Sequence, residues 1–314
     1  MSNFKVCVDQ DNVKWFKEVI NTIVGCLSEV RIEITETGLK LSNLDKSHIM
    51  FAELDLKPEF FTEFFIDNSI PVIYTASVGE LYHVLNKHAI QEQFDPNSGD
   101  LFFIQPRKDE YYWRKLNNGT VYQNYIDNLN KNGFWVDTED LNRVIKRLRA
   151  GDTFSLSDDE GSLIVNIEGK SSKQFRINKI DFEYDVPKQP TLKGLSEASI
   201  IFESYKEAIM DIKMLKFNDK LYFSLLDDKL CISTRGKDGE ALIKLGAKTA
   251  YLDKSIKSCY SLFRIIGAIR GLKECKTELK IELGQDTPIR FTYPDKNSTG
   301  FFKSLIAPRI EAEE

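Results

Sequence analysis

With 314 residues the chain is long enough to bury a large core, and its length alone suggests two domains. Hydrophobic residues make up 42% and charged residues 29%, Pro and Gly are modest and no tract is of low complexity, which excludes disordered and fibrous classes. Charges at Lys5, Asp9, Asp11, Lys14 and Lys17 rule out an unbroken signal-peptide core, no apolar run reaches membrane-spanning length, and a net charge of −5 argues at first sight against a nucleic-acid partner.

Residues 4–8 alternate as a short strand, and Asn12 to Gly25 has the period of an amphipathic helix, with Val13, Phe16, Ile20 and Ile23 on one face. Val30–Thr35 and Leu39–Asn43 flank the turn Glu36-Thr37-Gly38 as a hairpin, and Ile49–Leu56 follows as a strand. Asp67 to Phe134 has no counterpart later in the chain and reads as an insertion. It is rich in aromatic residues (Tyr111, Tyr112, Trp113, Tyr122, Tyr125), with a helix expected at Val78–His88 and a strand at Leu101–Gln105. Leu141–Arg149 predicts a short helix on Leu141, Val144, Ile145 and Leu148, followed by strands at Thr153–Ser157, Leu163–Glu168 and Gln174–Ile177. An acidic, Pro-punctuated connector comes next.

The same order then returns. Ala198–Glu203 reads as a strand, Tyr205–Lys216 as a helix, Lys220–Leu225 and Lys229–Thr234 as a hairpin around Asp227-Asp228, and Ala241–Leu245 as a strand. Leu262–Gly271 is a second short helix, with strands at Glu278–Leu283, Ile289–Tyr293 and near Phe301–Ile306. The chain therefore holds two copies of one strand-rich unit with two helices each. The expected division is 1–181 for an N-terminal domain with an insertion at about 67–134, 182–194 for a connector and 195–314 for a C-terminal domain.

The location of charge changes the first impression. The four helical segments 12–25, 141–150, 205–216 and 262–273 carry +1, +4, +1 and +3, so +9 of a chain total of −5 sits on them and the remainder carries −14. Such a chain can present a basic surface on one side only, suited to a sequence-independent, salt-sensitive contact with phosphate backbone. Solvated helix faces rich in Lys and Arg are the ordinary alternative.

Four stretches carry a resemblance. Ile34–Ile49 (ITETGLKLSNLDKSHI) resembles the signature of PCNA-type DNA sliding clamps, where a strand, a glycine turn and a (Met/Leu)-Asp-x-Ser-His segment follow one another. Leu305–Glu314 (LIAPRIEAEE) resembles their C-terminal run, and Val136–Leu148 (VDTEDLNRVIKRL) and Lys257–Ser261 (KSCYS) are similar to segments of archaeal-type clamps. The four occur in the family's order and cover nearly the whole chain except 67–134.

The resemblance implies an α+β fold of two similar clamp domains, each with two helices packed on antiparallel sheets, and a ring-forming homotrimer closed head to tail with the helices lining the hole. Edge strands at about Lys173–Lys179 and Glu240–Gly246 would pair between subunits. Double-stranded DNA would be met without sequence preference by Lys14, Lys17, Arg143, Lys146, Arg147, Arg149, Lys206, Lys213, Lys216, Arg264, Arg270 and Lys273. A DNA polymerase, a clamp loader and other proteins with clamp-binding peptides would dock an aromatic plug among Leu44, His48, Ile49, Phe182, Tyr184, Val186, Pro288, Leu305, Ala307 and Pro308. Leu44, Ile49 and Leu305 read equally well as core.

An enzyme is not expected. His48, His83 and His88 offer little metal-binding capacity, and no phosphate-cradling loop, nucleophile elbow or paired-carboxylate motif stands out. No cofactor or metal is implied. The acidic runs Asp158-Asp159-Glu160 and Asp227-Asp228 fall in expected turns. Cys7, Cys26, Cys231, Cys259 and Cys275 lack CxxC spacing and read as buried thiols of a reducing compartment, a cytoplasm for an archaeal or viral clamp or a nucleus for a eukaryotic one. Two alternatives stay open: a subunit of a heteromeric or checkpoint-type clamp, and a clamp-like regulator that does not encircle DNA. The insertion could serve a replication partner or be a decoration. Single-strand stacking on it has only Arg107, Lys108, Arg114, Lys115 and Lys131 for support.

Overall fold

The computed structural model describes residues 4–66, 92–95, 100–107, 110–115, 133–159, 161–180, 192, 195–250, 256–272 and 278–309. Two compact units are present, Met1–Phe65 with Gly133–Glu314, and Ile66–Asn132. The first half of the larger unit runs β1 (Phe4–Val8), α1 (Gln10–Val24), β2 (Glu29–Thr35), β3 (Gly38–Leu44), β4 (Met50–Leu56), a 3-10 turn (Pro58–Phe60) and β5 (Glu63–Ile66). The smaller unit contains β6 (Glu92–Asp95), β7 (Asp100–Arg107) and β8 (Glu110–Lys115), paired antiparallel in that order. The larger unit resumes with β9 (Gly133–Asp137), α2 (Thr138–Ile145), β10 (Thr153–Asp159), β11 (Ser162–Glu168) and β12 (Lys173–Asn178). Its second half runs β13 (Ser196–Ile201), α3 (Phe202–Leu215), β14 (Lys220–Leu226), β15 (Lys229–Gly236), β16 (Gly239–Gly246), β17 (Lys248–Ala250), β18 (Lys257–Ser261), α4 (Leu262–Ile269), β19 (Glu278–Leu283), β20 (Ile289–Pro294) and β21 (Gly300–Ile306).

Three sheets build the larger unit. Five strands pair in the order β12-β11-β10-β1-β5, four in the order β16-β15-β14-β18, and nine in the order β17-β13-β19-β20-β21-β4-β3-β2-β9. The nine-stranded sheet joins the two halves through β21 and β4, in the register Phe302↔Leu54 and Leu305↔Phe51. Strand alternation decides its two faces. Leu54, Phe302 and Tyr293 turn toward the helices, where Trp15 stacks on Tyr293 at 6.3 Å and Phe202 meets it edge-on at 5.2 Å. Phe51, Glu53 and Lys303 turn the other way. There Glu53 is buried and accepts Lys303 at 3.1 Å, a charge kept off the core because its partner is built into the next strand.

Local chemistry fixes the boundaries. Asp9 accepts from the Asn12 amide at 3.0 Å and starts α1 two residues before the hydrophobic period shows it. Asp137 does the same for α2 through the Asp140 amide at 2.9 Å, so this helix spans Thr138–Ile145 rather than Leu141–Arg149. Val13, Phe16, Val19, Ile20 and Ile23 bury the inner face of α1, each contributing roughly 1.5–3 kcal/mol of transfer free energy. Gly38 is required by its turn: φ is +139°, and an added Cβ would lie 2.0 Å from the Leu56 carbonyl oxygen. Asp227 and Asp228 both take left-handed φ, at 49° and 53°, in the two-residue turn of the β14–β15 hairpin.

The hairpins and most other strands lie where the alternation predicts them. Phe202 and Glu203, read as strand, instead open α3. The short strands β5, β9, β17 and β18 carried no expectation of their own as strands. Leu101–Gln105 falls within β7, whereas Val78–His88 lies outside the described residues. Cys26, Cys231 and Cys259 are buried, but Cys7 is only half-buried at the end of β1, and Cys275 is outside the described residues.

The repeat is visible in atomic detail. Lys17 of α1 donates from Nζ to the carbonyls of Lys146 (3.3 Å) and Leu148 (2.7 Å) just past α2, and Lys206 of α3 donates to Leu272 O (2.7 Å) just past α4. Each pair thus satisfies carbonyls that a helix end leaves open. Aligning these lysines and leucines also aligns the remaining helix positions. Between the halves, α1 crosses α4 on glycines. An added Cβ at Gly271 would lie 2.4 Å from Thr22 Oγ1 and 2.5 Å from Glu18 O, and one at Gly267 3.4 Å from Gly25 O. At Gly271 only bare backbone allows that approach.

Candidate nucleic-acid and partner-binding surfaces

Helix boundaries redistribute the charge that the sequence assigns to the helices. Within their observed limits α1, α2 and α3 are not basic: α1 balances Asp11 and Glu18 against Lys14 and Lys17, α2 carries Glu139 and Asp140 against Arg143, and α3 carries Glu203, Glu207 and Asp211 against Lys206 and Lys213, while α4 keeps Arg264 alone. The cations collect at the helix ends, as Lys146, Arg147 and Arg149 after α2, Lys213 and Lys216 at the end of α3, and Arg270 after α4. The C-terminal end of a helix dipole favours cations there whatever they later bind. All six are exposed and, among the described residues, none forms an ion pair. They are therefore free to meet phosphate.

Other residues of the basic set are engaged. Arg143, 71% exposed at its side chain, bridges Asp140 (2.6 Å) and Glu139 (3.5 Å) on its own helix. Lys17 and Lys206 cap carbonyls as described, and Lys14 is exposed on α1. Arg264 departs most from its expected role. Its Nη1 lies 2.8 Å from Asp45 Oδ2 and its Nη2 donates to Ser47 Oγ at 2.6 Å, so the guanidinium is committed to the first half of the chain rather than held out for DNA. Lys273 lies outside the described residues.

The partner-binding set divides similarly. Leu44, Phe51 and Leu305 sit side by side across β3, β4 and β21, on the sheet face turned away from the helices. Leu305 is 3% exposed and Phe51 5%, whereas Ile49 is 39% exposed for a large apolar side chain. Leu305 is therefore core-like in this chain, and Ile49 is the accessible member of the pair. The Ala307 amide donates to Ile49 O at 2.9 Å, which lays the half-exposed Ala307 and Pro308 beside Ile49. Arg309 extends the segment: its amide donates to Cys259 O at 2.7 Å, and its guanidinium bridges Asp219. Pro288 is half-exposed just before β20. Phe182, Tyr184 and Val186 lie outside the described residues. A separate polar depression of ≈ 340 Å³ around Glu33, Thr37 and Lys57 includes none of these positions.

The loop that carries His48 and Ile49 is built on Asp45. Asp45 Oδ1 accepts from the amides of Ile49 and Met50, both at 2.8 Å, and Oδ2 accepts from Ser47 Oγ at 2.5 Å. Burial alone would raise this carboxyl, but the hydrogen bonds from Ser47, Met50 and Ile49 and the charge of Arg264 outweigh it and hold the group below its ordinary value. His48, exposed, adopts φ 58°, a left-handed backbone that a non-glycine residue keeps only when its surroundings fix it. Phe51, Arg309 and the Asp45–Arg264 pair escaped the sequence. Phe51 was hidden in the strand alternation, and Ser47 and Arg264 stand 217 residues apart with no local signal joining them.

Comparison with known proteins points one way. The family described as proliferating cell nuclear antigen, N-terminal domain, matches residues 8–100. The DNA polymerase sliding clamp of Methanothermobacter thermautotrophicus is 29% identical over 311 residues, covering 99% of this chain and 100% of the relative. PCNA from Thermococcus kodakaraensis superposes with a TM-score of 0.70 at 19% identity, over 98% of this chain and 100% of that structure. A. fulgidus PCNA, solved with the C-terminal region of FEN-1 bound, gives a TM-score of 0.67 at 17% identity, over 99% and 100%. The fold is thus the two-domain α+β clamp fold.

Proposed function

We propose that this chain, a PCNA-type clamp by family and fold, is a DNA polymerase sliding clamp that encircles duplex DNA and catalyses nothing itself. The observation that carries this reading is the likeness to a sliding clamp over both whole lengths, on a chain whose duplicated helix-and-sheet unit leaves the β12 and β16 edges, among others, unpaired among the described residues. The domain division at about 1–181, 182–194 and 195–314 belongs to the same reading, as does a cytoplasmic setting in keeping with the archaeal relatives. No helix among the described residues is long and apolar enough to cross a membrane.

The edges suit a head-to-tail ring. β12 closes one end of the five-stranded sheet and β16 one end of the four-stranded sheet, and no residue of β16 is buried. A free edge with Leu242 59% exposed is a liability unless another chain pairs with it. The repeat extends the argument to the helices. At the outer ends, Glu207 and Asp211 of α3 occupy the places of Glu18 and Thr22, while Arg143 and Arg147 occupy those of Gly267 and Gly271. Two acids on one end would then face two arginines on the other, a heterologous contact that closes when its rotation permits.

Mechanism follows from topology. A closed ring cannot leave a duplex sideways, so processivity requires no tight contact, and many strong phosphate contacts would brake sliding. The free cations at the helix ends, Arg147 apart, give a loose lining. Partner proteins, the polymerase and clamp loader among them, would dock peptides at the Ile49–Pro308 corner, an apolar anchor site with a defined backbone. Light scattering at several concentrations tests the assembly: a mass about three times 36.2 kDa supports the homotrimer. A persistent monomer would instead point to a heteromeric ring or a clamp-like regulator.

A further inference from the structure

The six-residue turn at the partner corner has a twin in the same chain. Asp45 N donates to Met50 O and Asp295 N to Gly300 O, both at 2.8 Å. In each turn the carboxylate Oδ1 accepts the last two amides: Ile49 and Met50 at 2.8 Å, Thr299 and Gly300 at 2.6 and 2.8 Å. In each, the fourth residue has φ 58°, His48 in one and Ser298 in the other. The turns differ in what holds Oδ2. Asp295 uses its own loop, through the Thr299 hydroxyl at 3.0 Å and the Asn297 amide at 3.2 Å. Asp45 also uses its own loop, through the Ser47 hydroxyl at 2.5 Å, and adds Arg264 at 2.8 Å, from α4 in the other half of the chain, whose second guanidinium nitrogen donates to the same Ser47 oxygen.

The twin acts as an internal control. It folds without a partnering cation among the described residues, so the turn itself does not need an arginine. What Arg264 adds is attachment: it ties the His48–Ile49 corner to a helix that also crosses α1 at Gly267. The carboxylate is 7% exposed at its side chain and the guanidinium 24%, so the pair is shielded enough to hold a fixed geometry. Ile49 in turn holds the C-terminal segment through its carbonyl.

We propose that Arg264 is a positioning residue for partner capture: through Asp45 it fixes the His48–Ile49 corner against Ala307 and Pro308, so that α4 sets the geometry of the peptide site. The proposal rests on the clamp reading above. It also removes Arg264 from the DNA lining, which makes the two roles separable. A phosphate ligand contributes about one unit to the slope of log affinity against log salt, whereas a positioning residue for the peptide contributes none.

The test uses the full chain, with a fluorescent peptide from the C-terminal region of FEN-1 as probe and a duplex DNA salt titration alongside. Arg264→Gln and Asp45→Asn should each raise the peptide Kd by about tenfold, and the double variant should be no worse than the more severe single one, because coupled residues do not add. The DNA salt slope should stay unchanged. Asp295→Asn should lower the thermal midpoint yet leave the peptide Kd within about twofold, since a merely structural turn defect does not reach the site. If Arg264→Gln fails to fold, Asp45→Asn decides alone. An unchanged Kd in the folded variants overturns the proposal, and a slope reduced by about one with unchanged Kd would reassign Arg264 to DNA. If the wild-type chain does not bind the peptide, the partner-capture reading fails and this inference falls with it.

Discussion

The helix crossing inside the chain and the matching outer helix ends, which the proposed ring would bring together, are built in opposite ways. Inside the chain, α1 meets α4 over Gly25, Gly267 and Gly271, with backbone so close that a methyl group at Gly271 would collide. At the outer ends the corresponding places hold Arg143, Arg147, Glu207, Asp211 and Met214, all exposed, with Met214 78% so. A junction that forms once during folding can be dry and close-packed. In the proposed ring the outer junction forms between separate chains and opens around DNA, and such a junction is better built from charges that water solvates when apart. On the proposed ring, the inner crossing measures stability and the outer helix ends association.

The largest effect should come from filling the inner crossing. Gly271→Val forces a side chain onto Thr22 and Glu18 and should cost about 1–3 kcal/mol in chemical denaturation, whereas Arg147→Val at the matching outer place should leave chain stability within about 0.5 kcal/mol. Equal losses would end the comparison. Next, Asp211→Lys should weaken association roughly 10- to 100-fold by light scattering, and adding Arg147→Asp to the same chain should restore much of it. Lys17→Met and Lys206→Met should each cost about 1 kcal/mol by removing a donor from helix-end carbonyls, with similar values because the two lysines hold equivalent places. A marked inequality would show that the halves are alike in outline only.

The smallest effect concerns pH. The Asp45 carboxyl is held below its ordinary value, so its contribution to stability is complete above about pH 3.9 and is lost as pH falls below that. The stability difference between wild type and Asp45→Asn in urea should therefore be constant from neutral pH to about 5 and shrink toward pH 3. A difference that grows in acid would have the wrong sign for a depressed carboxyl.

Most of the frame was legible in the sequence because it is periodic. The 3.6-residue rows from Val13 to Ile23 and from Tyr205 to Ile212 are buried helix faces, and the Glu36-Thr37-Gly38 and Asp227-Asp228 turns are hairpins. The helix starts were misplaced where capping rather than hydrophobicity sets them, at Asp9 and Asp137. The surfaces were less legible, because a side chain's role depends on who reaches it. Arg264 and Arg147 look alike as basic residues of short helices, but one is drawn to Asp45 across the halves and the other stays free. Leu305 and Ile49 look alike as apolar members of motifs, but one is enclosed and the other exposed. Such differences come from long-range partners, which local pattern does not encode.

The central claim is that the protein holds DNA by enclosing it, and topology tests this most directly. The protein is assembled on nicked circular duplex with a clamp loader, separated from free protein at high salt, and the circle is then cut once. Enclosure predicts that protein stays on the circle at high salt and runs off when the DNA becomes linear. Equal retention on circular and linear DNA, or none on either, would contradict it.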